Sequence, residues 1–182
     1  MKLAPVMIDI ETLGTVAGSA IVSIGATKFS WKDGRAIDSF YINMDAKDCV
    51  RLGMTIDPGT VEWWSKQPKI ARQAWQKDPV SVVTALGAFS DWFGAKNHEC
   101  WCNGMNFDFP LLESAYRTVG MKSPWKYFML NDMRTIVNLF NAGNAYQKFR
   151  KENTEAVYHN ALDDCNEQAK FLSTLIGEAK NQ

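Results

Sequence analysis

Apolar residues in the first quarter of the chain alternate with polar residues or form short runs, as they do in β-strands. Three segments rich in β-branched and aromatic residues follow this pattern: Leu3 to Ile10, Ile21 to Trp31 and Ile37 to Met44. Asp33-Gly34, between the second segment and the third, is a strong hairpin signal. The pattern therefore predicts a three-stranded meander at the start of the chain.

The hydrophobic period lengthens to that of a helix after Asp57-Pro58, a pair typical of an N-cap followed by proline in the first helical turn. The final helix is the most regular, because its apolar positions recur three or four residues apart. Those positions are Leu162, Cys165, Ala169, Leu172 and Ile176. The other predicted helices begin at Pro58 or cover Val82 to Phe93, Asn106 to Val119 and Asp132 to Ala142, and short strands are predicted at Glu99 to Asn103 and Tyr127 to Leu130.

Strands followed by alternating helices and strands indicate an α/β layer fold with a mixed sheet. The chain has 182 residues, of which 46% are hydrophobic and 22% charged, and this balance predicts a single domain over residues 1–182. No segment approaches the length of apolar chain that spans a membrane, and Asp9 and Glu11 follow the amino terminus too soon for a signal peptide. We therefore expect a cytoplasmic protein that has no membrane segment.

Cysteine and histidine outside any recognisable pattern are expected to be structural. The four cysteines contain no C-x-x-C pair, so we expect them to be small buried side chains rather than zinc ligands. His98 stands apart from every motif and is predicted to lie in a surface loop.

The formal net charge is zero, which argues against a protein that holds nucleic acid by charge alone. The distribution is uneven, because seven basic residues and one acidic residue lie between Arg117 and Lys151. Within this stretch, Tyr146 to Lys151 interleaves aromatic and cationic side chains. We expect a loop here that either contacts phosphates and closes over a substrate or forms a solvated surface.

Carboxylates are placed where they can converge. In a strand, residues two apart point to the same face, so Asp9 and Glu11 project together from the first predicted strand. Two adjacent carboxylates repel unless a cation joins them, and oxygen ligands suit Mg²⁺ or Mn²⁺ better than zinc. Asp108 is predicted in the first turn of a helix. His159 precedes the last helix, and Asp164 lies near its start at the margin of the apolar stripe.

The order and spacing of these five residues resemble those of the DEDDh exonucleases, which belong to the DnaQ-like, ribonuclease H-like superfamily. Met7 to Thr12 resembles the first motif, Asn106 to Asp108 the second, and His159 to Asp164 the third. Two further segments, Thr60 to Gln67 and Asn131 to Thr135, are similar to parts of the ribonuclease AS-like exoribonucleases and their phage exodeoxyribonuclease VIII-like relatives.

This resemblance implies a three-layer fold with a five-stranded mixed sheet and a 3′→5′ exonuclease that releases nucleoside 5′-monophosphates from the 3′ end of single-stranded RNA or DNA. It implies two divalent cations, Mg²⁺ or Mn²⁺, held by the four carboxylates, with His159 as general base. It also places Thr12, Leu13, Phe107 and His159 against the substrate, with Leu13 as a wedge beside the terminal base. Relatives of this kind are often dimers, so a homodimer is a further expectation.

Several alternatives remain open. Only one of the adjacent Trp63 and Trp64 can face fully inward on a helix, so the other, which we take to be Trp63, is a candidate for base stacking or for a partner chain. The substrate could instead be short oligonucleotides, cleaved by a phosphodiesterase on the same fold. A catalytically silent nucleic-acid-binding module is the third alternative, although all five motif residues are present.

Overall fold

The computed structural model describes residues 3–153 and 156–180, and these residues form a three-layer α/β fold. Residues 1–2, 154–155 and 181–182 of the predicted single domain lie outside this description. The strands are β1 (Val6–Thr12), β2 (Ile21–Phe29), β3 (Ala36–Asn43), β4 (Cys100–Cys102) and β5 (Leu130–Asp132). The helices are α1 (Ala46–Arg51), α2 (Pro58–Ser65), α3 (Lys69–Ala74), α4 (Val82–Phe93), α5 (Asp108–Thr118), α6 (Met133–Leu139), α7 (Gly143–Glu152) and α8 (Ala161–Lys180).

The sheet is mixed, with the order β3-β2-β1-β4-β5. The meander β1–β2–β3 is antiparallel, whereas β4 pairs parallel to β1, and β5 pairs parallel to β4. Strand β1 therefore lies at the centre, where both faces are covered. This arrangement confirms the predicted meander and the five-stranded mixed sheet.

Alternate residues of β1 enter different layers. Val6, Ile8 and Ile10 pack into the larger core beside α4 and α5, whereas Met7 packs into a second core with residues of α6, α7 and α8. By the same alternation, Asp9 and Glu11 share the face of Met7, which α8 covers. The alternating pattern of β1 thus places the carboxylates of Asp9 and Glu11 between the sheet and α8.

Gly25 permits the close approach of α8 to the sheet. It lies opposite Asp9 in the β1–β2 pairing, and a Cβ atom at this position would lie only 2.2 Å from the carbonyl carbon of Ala161. Any larger residue would push the start of α8 outward. The beginning of the helix that carries Asp164 is therefore held beside Asp9.

Some predicted elements differ from the structure. The aromatic run at Tyr127 to Leu130 is a short 3₁₀ turn over Tyr127–Met129, and strand β5 begins only at Leu130. The side chains of Tyr127 and Phe128 are exposed, so these two aromatic residues do not belong to a buried strand. The helix predicted over Asp132 to Ala142 ends at Leu139, and a separate helix, α7, follows Asn141, whose φ of 51° breaks the helical path.

His98 is not in a surface loop, as the sequence predicts, but is buried. Its Nδ1 lies 2.8 Å from the carbonyl oxygen of Ala4, and its ring packs edge-on against Phe93 with centroids 5.3 Å apart. The residue therefore ties the start of the chain to the end of α4. The cysteines, by contrast, are all buried and unpaired, as predicted.

Among the residues that the structure describes, no helix is both long and apolar enough to cross a membrane.

Candidate active site

The predicted carboxylates converge at the carboxyl-terminal end of β1. Asp108 is the first residue of α5, and Asp164 lies in the first turn of α8; both are buried. Glu11 is 8% exposed, and its carboxylate lies together with Asp164 and His159, each offering one ligand atom within 4.8 Å of the others. The structure therefore brings the end of β1 and the start of α8 to one point, and the charge of Asp108 at the start of α5 acts on both Asp9 and Glu11.

The buried carboxylates repel one another. Burial is the largest cause that raises the pKa of Asp9 well above its ordinary value, and the charges of Asp108, Asp164 and Glu11 raise it further. Burial and the charges of Asp164 and Asp108 likewise raise the pKa of Glu11. Burial raises the pKa of Asp108 to about 7 and that of Asp164 to about 6. Such a cluster keeps its full negative charge at neutral pH only if a cation offsets it.

The donor set fits divalent cations that prefer oxygen. Asp9, Glu11, Asp108 and Asp164 offer only carboxylate oxygens, the ligand type of Mg²⁺ and Mn²⁺. Cys102 interacts with Asp108, and Cys165 with Asp9, Asp108 and Asp164; burial holds the pKa of both thiols far above the ordinary value, so they stay protonated. The residues present therefore fit divalent cations with oxygen ligands.

His159 lies in the turn that leads into α8. Its backbone has a φ of 63°, in the left-handed region, and its N–H donates to Oδ2 of Asp164 over 3.3 Å. Asn160 caps the helix, because its Oδ1 accepts from the N–H groups of Leu162 and Asp163 at 3.1 and 3.2 Å. Burial, and then the charge of Arg150, lower the pKa of the His159 imidazole. The ring is therefore neutral at pH 7 and able to accept a proton.

A cavity of about 410 Å³ adjoins this cluster and is predominantly apolar. Glu11, Thr12, Trp63 and Phe107 are among the residues that line it. Trp63 is 40% exposed, and its ring stands edge-on to His159 with centroids 4.8 Å apart. A flat ligand that enters this cavity would reach both the aromatic wall and the carboxylates.

Trp63 and Trp64 differ in burial, as the helical geometry predicts. Trp64 is buried, and its indole N–H donates to the carbonyl oxygen of Thr12 over 2.9 Å. Trp63 is left on the cavity wall. Trp64 thus fixes α2 against the end of β1, which in turn positions Trp63.

Leu13 follows the end of β1 and is held by the fold. It is buried in the larger core, its N–H donates to Ala20, and its carbonyl accepts from Asp57, both over 2.8 Å. The residue is not among those that line the cavity, and the wedge beside the terminal base that the resemblance implies stays a prediction. Thr12, one residue earlier, does line it.

The segment Tyr146 to Lys151 is corrected, because it is a helix, α7, rather than a loop. Arg150 does not extend into solvent. Its Nη2 lies 2.8 Å from Oδ1 of Asp164, and its Nε lies 3.5 Å from Oε2 of the buried Glu167. Lys148 is exposed and pairs with Glu152 at 3.7 Å. The sequence pattern gave no sign that one cation of this segment is directed at a motif carboxylate.

Comparisons with known proteins found similar exonucleases. A family model described as the 3′-5′ exoribonuclease Rv2179c-like domain matches residues 4–176. The exodeoxyribonuclease of Enterobacteria phage T4 is 26% identical over 127 residues, which are 62% of this chain and 56% of that protein. The chain thus spans little more than half the length of that curated relative.

Solved structures share the fold at low sequence identity. Exonuclease X in complex with 5′ overhanging duplex DNA matches with a TM-score of 0.63 and 17% identity, covering 96% of this chain and 92% of that one. The nuclease domain of 3′hExo, a DEDDh family member bound to rAMP, matches with a TM-score of 0.62 and 11% identity, covering 96% and 93%. The zinc-bound complex of E. coli exonuclease I with single-stranded DNA reaches 0.71 at 13% identity, covering 99% and 42%. These likenesses confirm the predicted ribonuclease H-like fold.

Proposed function

Because the chain belongs to the Rv2179c-like 3′-5′ exoribonuclease family, we propose that it removes nucleoside 5′-monophosphates one at a time from the 3′ end of a single strand. The observation that carries the proposal is the approach of Glu11, Asp164 and His159 to within 4.8 Å of one another. This cluster adjoins a cavity lined by Trp63 and Phe107. An acid cluster, a neutral base and an aromatic cavity are the parts that hydrolysis of a terminal phosphodiester needs.

The carboxylates of Asp9, Glu11, Asp108 and Asp164 would hold two divalent ions, Mg²⁺ or Mn²⁺. When bound, such ions stabilise the charge that develops on the attacking and leaving oxygens of an in-line displacement. The raised pKa values of these carboxyls support this assignment, because the cluster is costly to ionise without cations. The backbone elements β1, α5 and α8 hold the carboxylates in place before any ligand arrives.

His159 would take the proton of the attacking water. Its imidazole is neutral at pH 7 because burial and Arg150 lower its pKa. The ring stands beside Glu11 and Asp164, where the scissile phosphate would lie, and Trp63 packs against it. Proton transfer to a positioned base of this kind contributes on the order of 10²–10⁴ in rate.

The cavity would accept the terminal nucleoside. Trp63 and Phe107 offer ring faces or edges to a base, and Thr12 lies on the same wall. Base–aromatic stacking contributes roughly 1–3 kcal/mol per base and tolerates any sequence. We therefore propose a preference for unpaired ends, whose last base is free to leave its neighbours and enter the cavity.

RNA is the substrate that we propose first, since the family is described as exoribonucleases. The phage T4 relative is named an exodeoxyribonuclease, so single-stranded DNA is the competing substrate. The two polymers differ at the 2′-hydroxyl. Initial rates on RNA and DNA of matched sequence decide between them.

Product analysis tests the proposed reaction. A 12-mer RNA with a free 3′ end should release nucleoside 5′-monophosphates, identified by chromatography against 5′ and 3′ standards. A second RNA with a phosphorothioate-blocked 3′ end should resist. Release of 3′-monophosphates, or equal attack on the blocked strand, would overturn the proposal.

A further inference from the structure

Arg150, which belongs to none of the three motifs, joins α7 to two acidic residues of α8. Its Nη2 lies 2.8 Å from Oδ1 of Asp164, and its Nε lies 3.5 Å from Oε2 of Glu167. Glu167 is 1% exposed, and its other oxygen accepts from the amide of Asn153 over 2.8 Å. Because both acids lie on adjacent turns of α8, one guanidinium group donates a hydrogen bond to Asp164 and lies within ion-pair distance of Glu167.

Arg150 also contacts Tyr158, the residue that precedes His159. The ring of Tyr158 faces the guanidinium group, with its centroid 4.7 Å from Cζ of Arg150. The hydroxyl group of Tyr158 donates to the carbonyl oxygen of Arg150. The side chain and the main chain of Arg150 therefore both contact Tyr158.

The Asp164 carboxylate connects this contact to His159. One oxygen accepts from Arg150, and the other accepts from the N–H of His159 over 3.3 Å. The φ of 63° at His159 is uncommon for a residue other than glycine and persists only where the surroundings enforce it. The bonds around Arg150 are the contacts that fix this turn from the α7 side.

We propose that Arg150 is a positioning residue that sets the orientation of the His159 imidazole. It does so by orienting the Asp164 carboxylate and by holding Tyr158, so that the left-handed turn at His159 presents its ring to the cluster. The inference rests on the proposed function of His159 as base. It assigns to Arg150 a geometric role that depends on the planar fork and not on positive charge alone.

The activity test compares Arg150→Ala with Arg150→Lys. We expect kcat to fall about 100-fold in both variants. KM should change less than threefold, because Arg150 is not among the residues that line the cavity beside Trp63 and Phe107. Guanidinium ion at about 50 mM should restore kcat of the alanine variant by about tenfold, whereas ammonium ion should not. Arg35→Ala is the matched control, since Arg35 is an exposed arginine in the β2–β3 hairpin; its kcat should not change with or without guanidinium.

A readout independent of activity comes from the two histidines of the chain. In the metal-free protein with labelled imidazole rings, the NMR signals of His159 should shift in Arg150→Ala, whereas those of the buried His98 should stay in place. Tyr158→Phe removes the hydroxyl group and keeps the ring, so it should give a smaller shift of the same signals and about a fivefold loss of kcat. This variant tests the inference even if Arg150→Ala fails to fold.

The inference is overturned by any of three results. These are a folded Arg150→Ala protein with kcat within twofold of the parent, full activity in Arg150→Lys, or unchanged His159 signals in both Arg150→Ala and Tyr158→Phe. A parent protein that cleaves neither RNA nor DNA would instead refute the proposed function, and the NMR comparison would still report on the positioning role.

Discussion

The side-chain amide of Gln168 donates a hydrogen bond of 3.0 Å to Oδ1 of Asp9. Gln168 lies one helical turn after Asp164 on α8, and it is 4% exposed. This bond lowers the pKa of Asp9, against burial and three neighbouring charges that raise it. Helix α8 therefore supplies both a carboxylate of the cluster and a support for the central carboxylate of β1.

Gln168→Leu should weaken the binding of Mn²⁺ by about tenfold, because loss of a residue that orients a metal ligand typically reduces affinity or activity 10- to 100-fold. Isothermal titration measures the affinity directly. Gln73→Leu on α3 is exposed and serves as the control. Equal Mn²⁺ affinity in both variants would show that Asp9 needs no support from Gln168.

His159→Ala should lower kcat by roughly 10²–10⁴ while Mn²⁺ still binds, because the four carboxylates remain and only the proposed base is lost. Single-turnover rates at saturating Mn²⁺ measure the change, and titration calorimetry measures the binding. Activity at the parent level in this variant would remove His159 from the mechanism.

The metal-free protein should become less stable as pH rises from 6.5 to 8. The pKa of Asp108 is raised to about 7, and those of Asp9 and Glu11 are raised by burial and mutual repulsion. The folded protein therefore holds protons that the unfolded chain has already released, and this stability is lost as pH rises through the folded pKa values. While the pH lies below its folded pKa, each such group lowers the unfolding free energy by about 1 kcal/mol per pH unit, or roughly 2–4 °C in Tm. For Asp108 this decrease ends near pH 7.

Thermal unfolding in EDTA at several pH values measures this slope, and Mg²⁺ or Mn²⁺ added at pH 8 should reverse it. Asp108→Asn should flatten the slope and raise Tm at pH 8, since it removes one buried charge from the cluster. A Tm that increases from pH 6.5 to 8 without metal would contradict the account of the four carboxylates.

Trp63→Ala should raise KM about tenfold, in line with the roughly 1–3 kcal/mol of a stacked base. Trp63→Phe should retain most of the affinity, because the cavity keeps an aromatic wall. Phe128→Ala, which removes an exposed aromatic side chain that does not line the cavity, is the control. If KM for a single strand is the same in Trp63→Ala and the parent, the cavity does not hold the terminal base.

Much of the site could be predicted from local patterns. Strand alternation places Asp9 and Glu11 on one face, and the helix starts place Asp108 and Asp164 in first turns; the structure has all four there. The motif spacing indicated a DnaQ-like exonuclease, and membership of the exoribonuclease family confirms that resemblance. The strand face and the helix starts could be predicted because each depends on a few consecutive residues.

Other features depend on contacts between distant segments. Helices α1, α3 and α7 were not predicted from the sequence, and the contact between Arg150 and Asp164 joins α7 to α8, so this contact could not be foreseen. Leu13 was assigned to the substrate because it follows the first motif, yet Ala20 and Asp57 engage its backbone. His98 was assigned to a surface loop because it stands apart from every motif, whereas contacts with Ala4 and Phe93 bury it.

The proposed activity is that of a metal-dependent exonuclease that starts at 3′ ends. The most direct measurement incubates the parent protein and Asp9→Ala with single-stranded RNA and DNA labelled at the 5′ end, in Mg²⁺, Mn²⁺ or EDTA. The account predicts a ladder that shortens from the 3′ end with either metal, and no ladder in EDTA or with Asp9→Ala. Cleavage that persists in EDTA or in Asp9→Ala, or no ladder from the parent protein on either strand, would contradict it.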